Sequence, residues 1–404
     1  MKKPNRFLAA ALLGSAAIVT AVQPGFAEEK TVWRLFVADH SAPVVRVLDA
    51  AAGATIDSFD TSAPASLFAT ESRGTVFALQ RNGDLVSAFD TGIAFGDHGD
   101  HGDIKVEAPT RLDGTISGKK PVHFVEHDGQ IAVFFDDDGV ARLFSEADIR
   151  AGAPAIRDVK TNSPHHGVAI ALGDHVLVSE PHPDKPVDEL PVGMRVLDEA
   201  GNPVGDLHAC PDLHGEAASG DLVAIACAEG LLMVREGKDG PQISLLPYGD
   251  NLPEGKSTTL VGGRSMQYFL GNYGPDAVTI IDPEATDNTF RLVKLPTRRV
   301  HFAVDPMRAK FAYVFTEDGK LNRLNVLSGE IDGALALTEP YSMDGHWSDP
   351  RPRIAVAGDT IVVTDPLKGV LHTVDARTFT KTADIPVEGK PFNIVAVGGS
   401  GETH

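Results

Sequence analysis

The sequence predicts an all-β fold, a single β-propeller, on three observations. Short apolar runs rich in Val and Ile recur along the chain, separated by Gly, Asp and Asn turns. A loose unit repeats at roughly the forty-residue period of propeller blades. No long amphipathic helix interrupts the pattern, and the best helical segment, SEADIRAG from Ser145 to Gly152, is a turn or two long. A pair of β-sandwiches is the structural alternative.

Taken in order, the chain opens with a leader. Lys2, Lys3 and Arg6 precede an apolar stretch from Phe7 to Val22, and Gly25 and Ala27 supply small residues before Glu28. Residues 1–27 are therefore expected to be a signal peptide cleaved near Ala27, with a propeller domain over 28–404. The apolar stretch is too short for a membrane anchor. Loss of the leader takes the 36 basic residues to 33 against 56 acidic ones, so the net charge deepens from −20 to −23. That charge disfavours nucleic acid and anionic membrane surfaces and suits cations or a basic partner. Cys210 and Cys227 are the two cysteines of the chain. In an oxidising compartment they are expected to form one disulfide, a zinc-thiolate pair being the alternative.

The repeating units follow. Residues 66–89, 123–144, 167–181 with 194–207, 216–237, 263–285, 301–331 and 353–385 each combine short strands with Gly-Asp or Asp-Gly turns. The first unit, from Trp33 to Phe59, lacks an opening strand. PFNIVAVGG, residues 391–399, has the character of that missing strand, so the two chain ends are expected to pair and close the ring. Closure removes the sheet edges that would otherwise aggregate. Counting the shared blade gives eight, with seven as the alternative.

The histidines fall in phase with these units. The strand opening each blade lines the central channel, and residues near its start face the channel mouth. PVHF places His123 there, SPHHG places His165 and His166, and PDLHGE places His214. His301 and His346 come near the same phase of later units. Adjacent residues of a strand point to opposite faces, so one of His165 and His166 is expected to enter the channel. One such histidine is ordinarily a hydrogen-bonded channel residue. Several converging on one axis suit a metal, because neutral imidazole is the commonest metal ligand and zinc takes about four N, O or S donors. His127, His175 and His372, beside turns or on outer strands, are expected at the surface. His40 follows Asp39 in a turn, where the two could offer a nitrogen and an oxygen.

FGDHGDHGD, residues 95–103, places His98, Asp100, His101 and Asp103 among glycines that relax the backbone. It reads either as a solvated acidic loop or as an imidazole-carboxylate tract that wraps an ion. The spacing of an EF-hand calcium loop is absent.

Leader, propeller repeat, GDHGDHGD tract, channel-phase histidines and a single cysteine pair together resemble the AztD-type periplasmic zinc chaperones. The resemblance covers essentially the whole mature chain, and the tract is its most specific local feature. It implies zinc binding and direct transfer to the periplasmic solute-binding protein of a zinc ABC transporter, not catalysis. Carried over by phase and motif, His123, His166 and His214 form the central site, while His98, Asp100, His101 and Asp103 form a mobile secondary or transfer site. A monomer is expected. The competing function is an exported metal-dependent propeller hydrolase of the lactonase type, since a histidine-lined channel can hold a catalytic metal. No G-x-S-x-G elbow and no cofactor motif is present. A protein-interaction scaffold of the WD40 kind lacks its Gly-His and Trp-Asp signatures, Trp33 and Trp347 being the only tryptophans.

Overall fold

The computed structural model describes residue 1 and residues 28–97, 102–184 and 189–403. The leader reading, and the ligand reading of His98, Asp100 and His101, fall outside the described residues. Eight sheets, antiparallel apart from one pairing in the first, form an eight-bladed propeller. Blade 1 combines Glu28–Asp39, Val44–Asp49 and Thr55–Asp60 with Pro391–Thr403. Leu35 lies opposite Ala396 and Glu28 opposite Thr403, so the chain ends close the ring as expected. The next blades open with Ser66–Ala69, Pro121–His127, Ala169–Leu172 and Glu216–Ser219. Those of blades 6 to 8 open with Leu260–Val261, Arg299–Val304 and Ile354–Ala357.

The second strand of each blade explains the Val/Ile-rich runs. Thr75–Gln80 and Phe269–Asn272 are buried at every position, because both faces of a blade pack on neighbouring blades. Alternation is lost wherever neither face meets water. Apolar clusters therefore lie between blades. One joins Val125, Ile170, Met194 and Val223 across blades 3, 4 and 5. The fourth, outermost strands carry little apolar signal, as in Thr55–Asp60, which is exposed at five of its six positions. The one α-helix among the described residues, Glu146–Arg150, is capped by Ser145, whose Oγ accepts from the Asp148 amide at 3.1 Å.

The tract enters and leaves a hairpin. Ile93–Asp97 pairs with Gly102–Val106, and Asp103 makes a parallel pairing with Glu402 on the closing strand. Asp103 is thus a strand residue at the base of the tract.

Candidate metal centre

Three successive blades bring their opening segments to one wall of the central cavity. Blade 3 supplies His123, the segment before blade 4 supplies His166, and the segment before blade 5 supplies His214. Their ring centroids lie 4.8 Å (His123–His166), 5.2 Å (His166–His214) and 6.2 Å (His123–His214) apart. The cavity has a volume of about 810 Å³ and is lined also by His40, Arg81, His346, Trp347 and Arg353.

Each of the three rings is held by one nitrogen. His123 Nδ1 lies 3.0 Å from Glu216 Oε1, His166 Nδ1 lies 2.8 Å from Asp136 Oδ2, and His214 Nδ1 lies 2.8 Å from the Thr258 carbonyl. All three partners accept, so each Nδ1 carries a proton, and in the neutral ring Nε2 offers its lone pair. This is the carboxylate–histidine–metal arrangement, in which an outer partner sets tautomer and ring orientation. His123 Nε2 and His166 Nε2 lie 3.2 Å apart. Two nitrogens bound to one tetrahedral zinc at ~2.0–2.1 Å lie about 3.3 Å apart, so this spacing matches a shared ion.

The local chain geometry serves this wall. Gly215 has φ +86°, and a Cβ there would lie 2.4 Å from the Thr258 carbonyl oxygen. A larger residue would displace the carbonyl that holds His214. The His214 amide donates to Ala226 O at 3.0 Å. The Cys210–Cys227 disulfide, with Cα atoms 4.9 Å apart, staples the two sides of the same loop.

Electrostatics fit a cation. Asp136 and Glu216 are buried, and Asp136 Oδ1 and Glu216 Oε2 have no hydrogen-bond partner among the described residues. A buried carboxylate oxygen without a partner is costly, and a dication beside the rings would offset both charges. Burial pushes the His123 pKa down, but the adjoining Glu216 carboxylate outweighs it and the net shift is upward. Burial lowers His214, and the neighbouring His123 and His166 add to that, so its lone pair is free near neutral pH.

The other histidines separate clearly. His165 turns into the core, with Nδ1 2.9 Å from Ser163 O and Nε2 2.8 Å from Ser179 Oγ. His301 accepts the Ile354 amide at Nδ1, 3.1 Å away. Burial, together with Arg353 and Arg299, holds its pKa well below the usual range, and the two guanidiniums make it a poor cation ligand. His346 lines the cavity but bonds Ser348 Oγ at 2.7 Å. His127 and His372, expected at the surface, are both buried. His372 sits between Asp384 Oδ1 at 2.5 Å and Asp365 Oδ2 at 3.2 Å.

Sequence reasoning missed Asp136 and Glu216. Asp136 stands in the FFDDDG turn and Glu216 two residues after His214, but their pairing with rings from other blades is a tertiary fact.

Fold and site together define a β-propeller with a candidate metal centre in its central cavity. No family model matches the chain. It is 53% identical over 385 residues to a protein of Citrobacter koseri named zinc chaperone AztD, covering 95% of this chain and 91% of that one. The crystal structure of Citrobacter koseri AztD superposes with a TM-score of 0.91 at 53% identity, over 93% of this chain and 100% of that one. Its apo form gives 0.89 at 52% identity, over the same shares. The chain belongs to the AztD family. A more distant likeness, TM-score 0.54 at 14% identity over 90% of this chain and 74% of that one, is to the dihydro-heme d1 dehydrogenase NirN and concerns the fold alone.

Proposed function

We propose that this chain is a periplasmic zinc chaperone that holds zinc on His123, His166 and His214 and delivers it to the solute-binding protein of a zinc ABC transporter. One observation carries the reading: three Nε2 lone pairs face one cavity while each Nδ1 is pinned by an acceptor. The family name of the Citrobacter relative supplies the metal and the role. Zinc is cargo here, and three neutral nitrogens leave a fourth position open. An acceptor's ligand can bind there before a histidine leaves. Residues 1–27 serve as the export leader on this reading.

The tract acts as a separate site, with His98, Asp100, His101 and Asp103 as its ligands. Phe392 and Asn393 line the cavity, whereas Glu402, which pairs with Asp103, stands nine residues further along the same strand. At ~3.3 Å per residue that is about 30 Å. The base of the tract hairpin therefore stands well away from the cavity, which suits a site separate from the three histidines. It meets zinc or the acceptor from outside.

The test is zinc content and transfer to the purified solute-binding protein. His123→Ala, His166→Ala and His214→Ala should each lower affinity by at least about 100-fold, beyond the upper end of an outer-partner loss. Deletion of 97–103 should slow transfer more than it weakens the tightest site. Full zinc retention in all three histidine variants overturns the central assignment. Equal transfer rates with and without the tract overturn its role. Zinc-dependent ester or lactone turnover, with no transfer, would replace the carrier reading by the hydrolase one.

A further inference from the structure

The cavity that holds the three histidines has a second wall of opposite chemistry. In a ring of eight, blade 8 faces blade 4 and blade 1 faces blade 5. Two guanidiniums line the cavity from this far side. Arg353 stands just before the first strand of blade 8, Ile354–Ala357. Arg81 lies in the turn between Thr75–Gln80 and Leu85–Asp90 of blade 2. Each rests on an aromatic ring. The guanidinium carbon of Arg353 is 4.9 Å from the centre of the Phe392 ring, and that of Arg81 is 5.5 Å from Trp347.

Neither arginine has a counter-charge among the described residues. The three carboxylates that line the cavity are already engaged. Asp39 pairs with Arg46 at 3.1 Å, Asp137 with Lys120 at 2.8 Å, and Asp136 with His166 at 2.8 Å. Arg81 Nε is buried without a hydrogen-bond partner, an arrangement that costs free energy unless something accepts from it. Burial, with Arg351 adding to it, pushes the Arg353 pKa down to about 10. A chain with 56 acidic residues against 36 basic ones thus leaves two half-buried cations unmatched in its central cavity.

We propose that Arg81 and Arg353 form an anion subsite in the central cavity that takes the carboxylate of a small organic acid. A guanidinium presents a planar pair of N–H donors that fits a carboxylate. Phe392 and Trp347 offer apolar surface to the carbon skeleton, which an inorganic oxyanion lacks. The cavity volume of about 810 Å³ lies within the range of small-ligand sites. The subsite stands on the arginines alone, but its purpose rests on the zinc reading. On that reading an anion drawn to this wall brings an oxygen within the cavity where zinc has an open position. Zinc and anion then raise each other's affinity by the same factor.

The full-length mature protein tests this, with succinate as the probe in calorimetric titrations at fixed ionic strength. Zinc-free protein should bind succinate, and zinc-loaded protein should bind it at least about fivefold more tightly. Arg81→Gln and Arg353→Gln should each weaken binding about tenfold or more, the loss of a charge-assisted hydrogen bond. Arg81 sits in a turn, so its variant tests the site even if Arg353→Gln fails to fold by circular dichroism. Binding to zinc-free protein should persist in a His123→Ala/His166→Ala/His214→Ala variant, so failure of the central assignment is read separately. Succinate that slows zinc transfer to the solute-binding protein would give the subsite to an acidic side chain of that protein, whereas unslowed transfer gives it to a free acid. No binding at about 10 mM succinate, or equal affinity in Arg81→Gln, overturns the assignment, and equal affinity with and without zinc overturns the coupling.

Discussion

The disulfide gives a prediction whose size follows from the structure. Cys210 and Cys227 are both fully buried and 17 residues apart. Cross-linking a loop of that length removes about 10 cal/mol/K from the unfolded chain, or ~3 kcal/mol at 25 °C. Cys210→Ala/Cys227→Ala also deletes two core sulfurs, which makes ~3 kcal/mol a floor. A domain of this size unfolds with an entropy near ~0.8 kcal/mol/K, so Tm should fall by about 4 °C or more by calorimetry. Zinc affinity should change less than tenfold. His214 keeps its amide bond to Ala226 O, its Nδ1 bond to Thr258 O and the reciprocal Ala226 amide bond to Gly215 O. A Tm drop under 1 °C would refute the entropic argument. A collapse of zinc binding in a folded variant would show that the disulfide itself positions the ligand.

Two further predictions concern single residues. Glu216→Gln keeps an acceptor for His123 but removes its charge, and zinc affinity in a competition titration should fall about 10- to 100-fold, with an unchanged fold by circular dichroism. His301 carries the pH prediction. Its folded pKa is depressed by burial and then by Arg353 and Arg299, so the unfolded chain takes up a proton that the folded one refuses. Stability then falls as pH drops below the ordinary value of ~6.5, by at most about 1.4 kcal/mol per pH unit. His301→Gln retains an acceptor for the Ile354 amide and should flatten the acid limb of Tm between about pH 6.5 and 4.5. An unchanged slope would place the acid sensitivity elsewhere.

The parts of this molecule legible in the sequence are those set by local pattern. Middle strands such as Thr75–Gln80 are buried throughout because each blade is covered on both faces, and Val/Ile-rich runs of this kind recur around the eight blades. The closing strand was legible because blade 1 visibly lacked an opening one. His123, His166 and His214 share a phase in three consecutive units, and that phase became a common wall. The outer strands were not legible, since Thr55–Asp60 or Thr380–Pro386 face water and need no alternation. Burial of His127 and His372 was hidden for the opposite reason. Both lie next to turns in the sequence, but adjacent blades cover them, and only the ring geometry says so.

The same distinction separates the ligands from what makes them a carrier. Three imidazoles alone could bind a proton, a metal or a substrate. Asp136 and Glu216 narrow the choice, because two buried charges with an orphaned oxygen each demand positive charge in the cavity. Burial lowers the proton affinity of His123, and Glu216 more than restores it. On the proposed reading a bound zinc would supply that positive charge, and it binds only deprotonated imidazoles. A closed site with four protein ligands would hold zinc more tightly and give it up slowly. The wide cavity beside His166, whose side chain is 26% exposed, leaves room for an incoming ligand, as direct transfer requires.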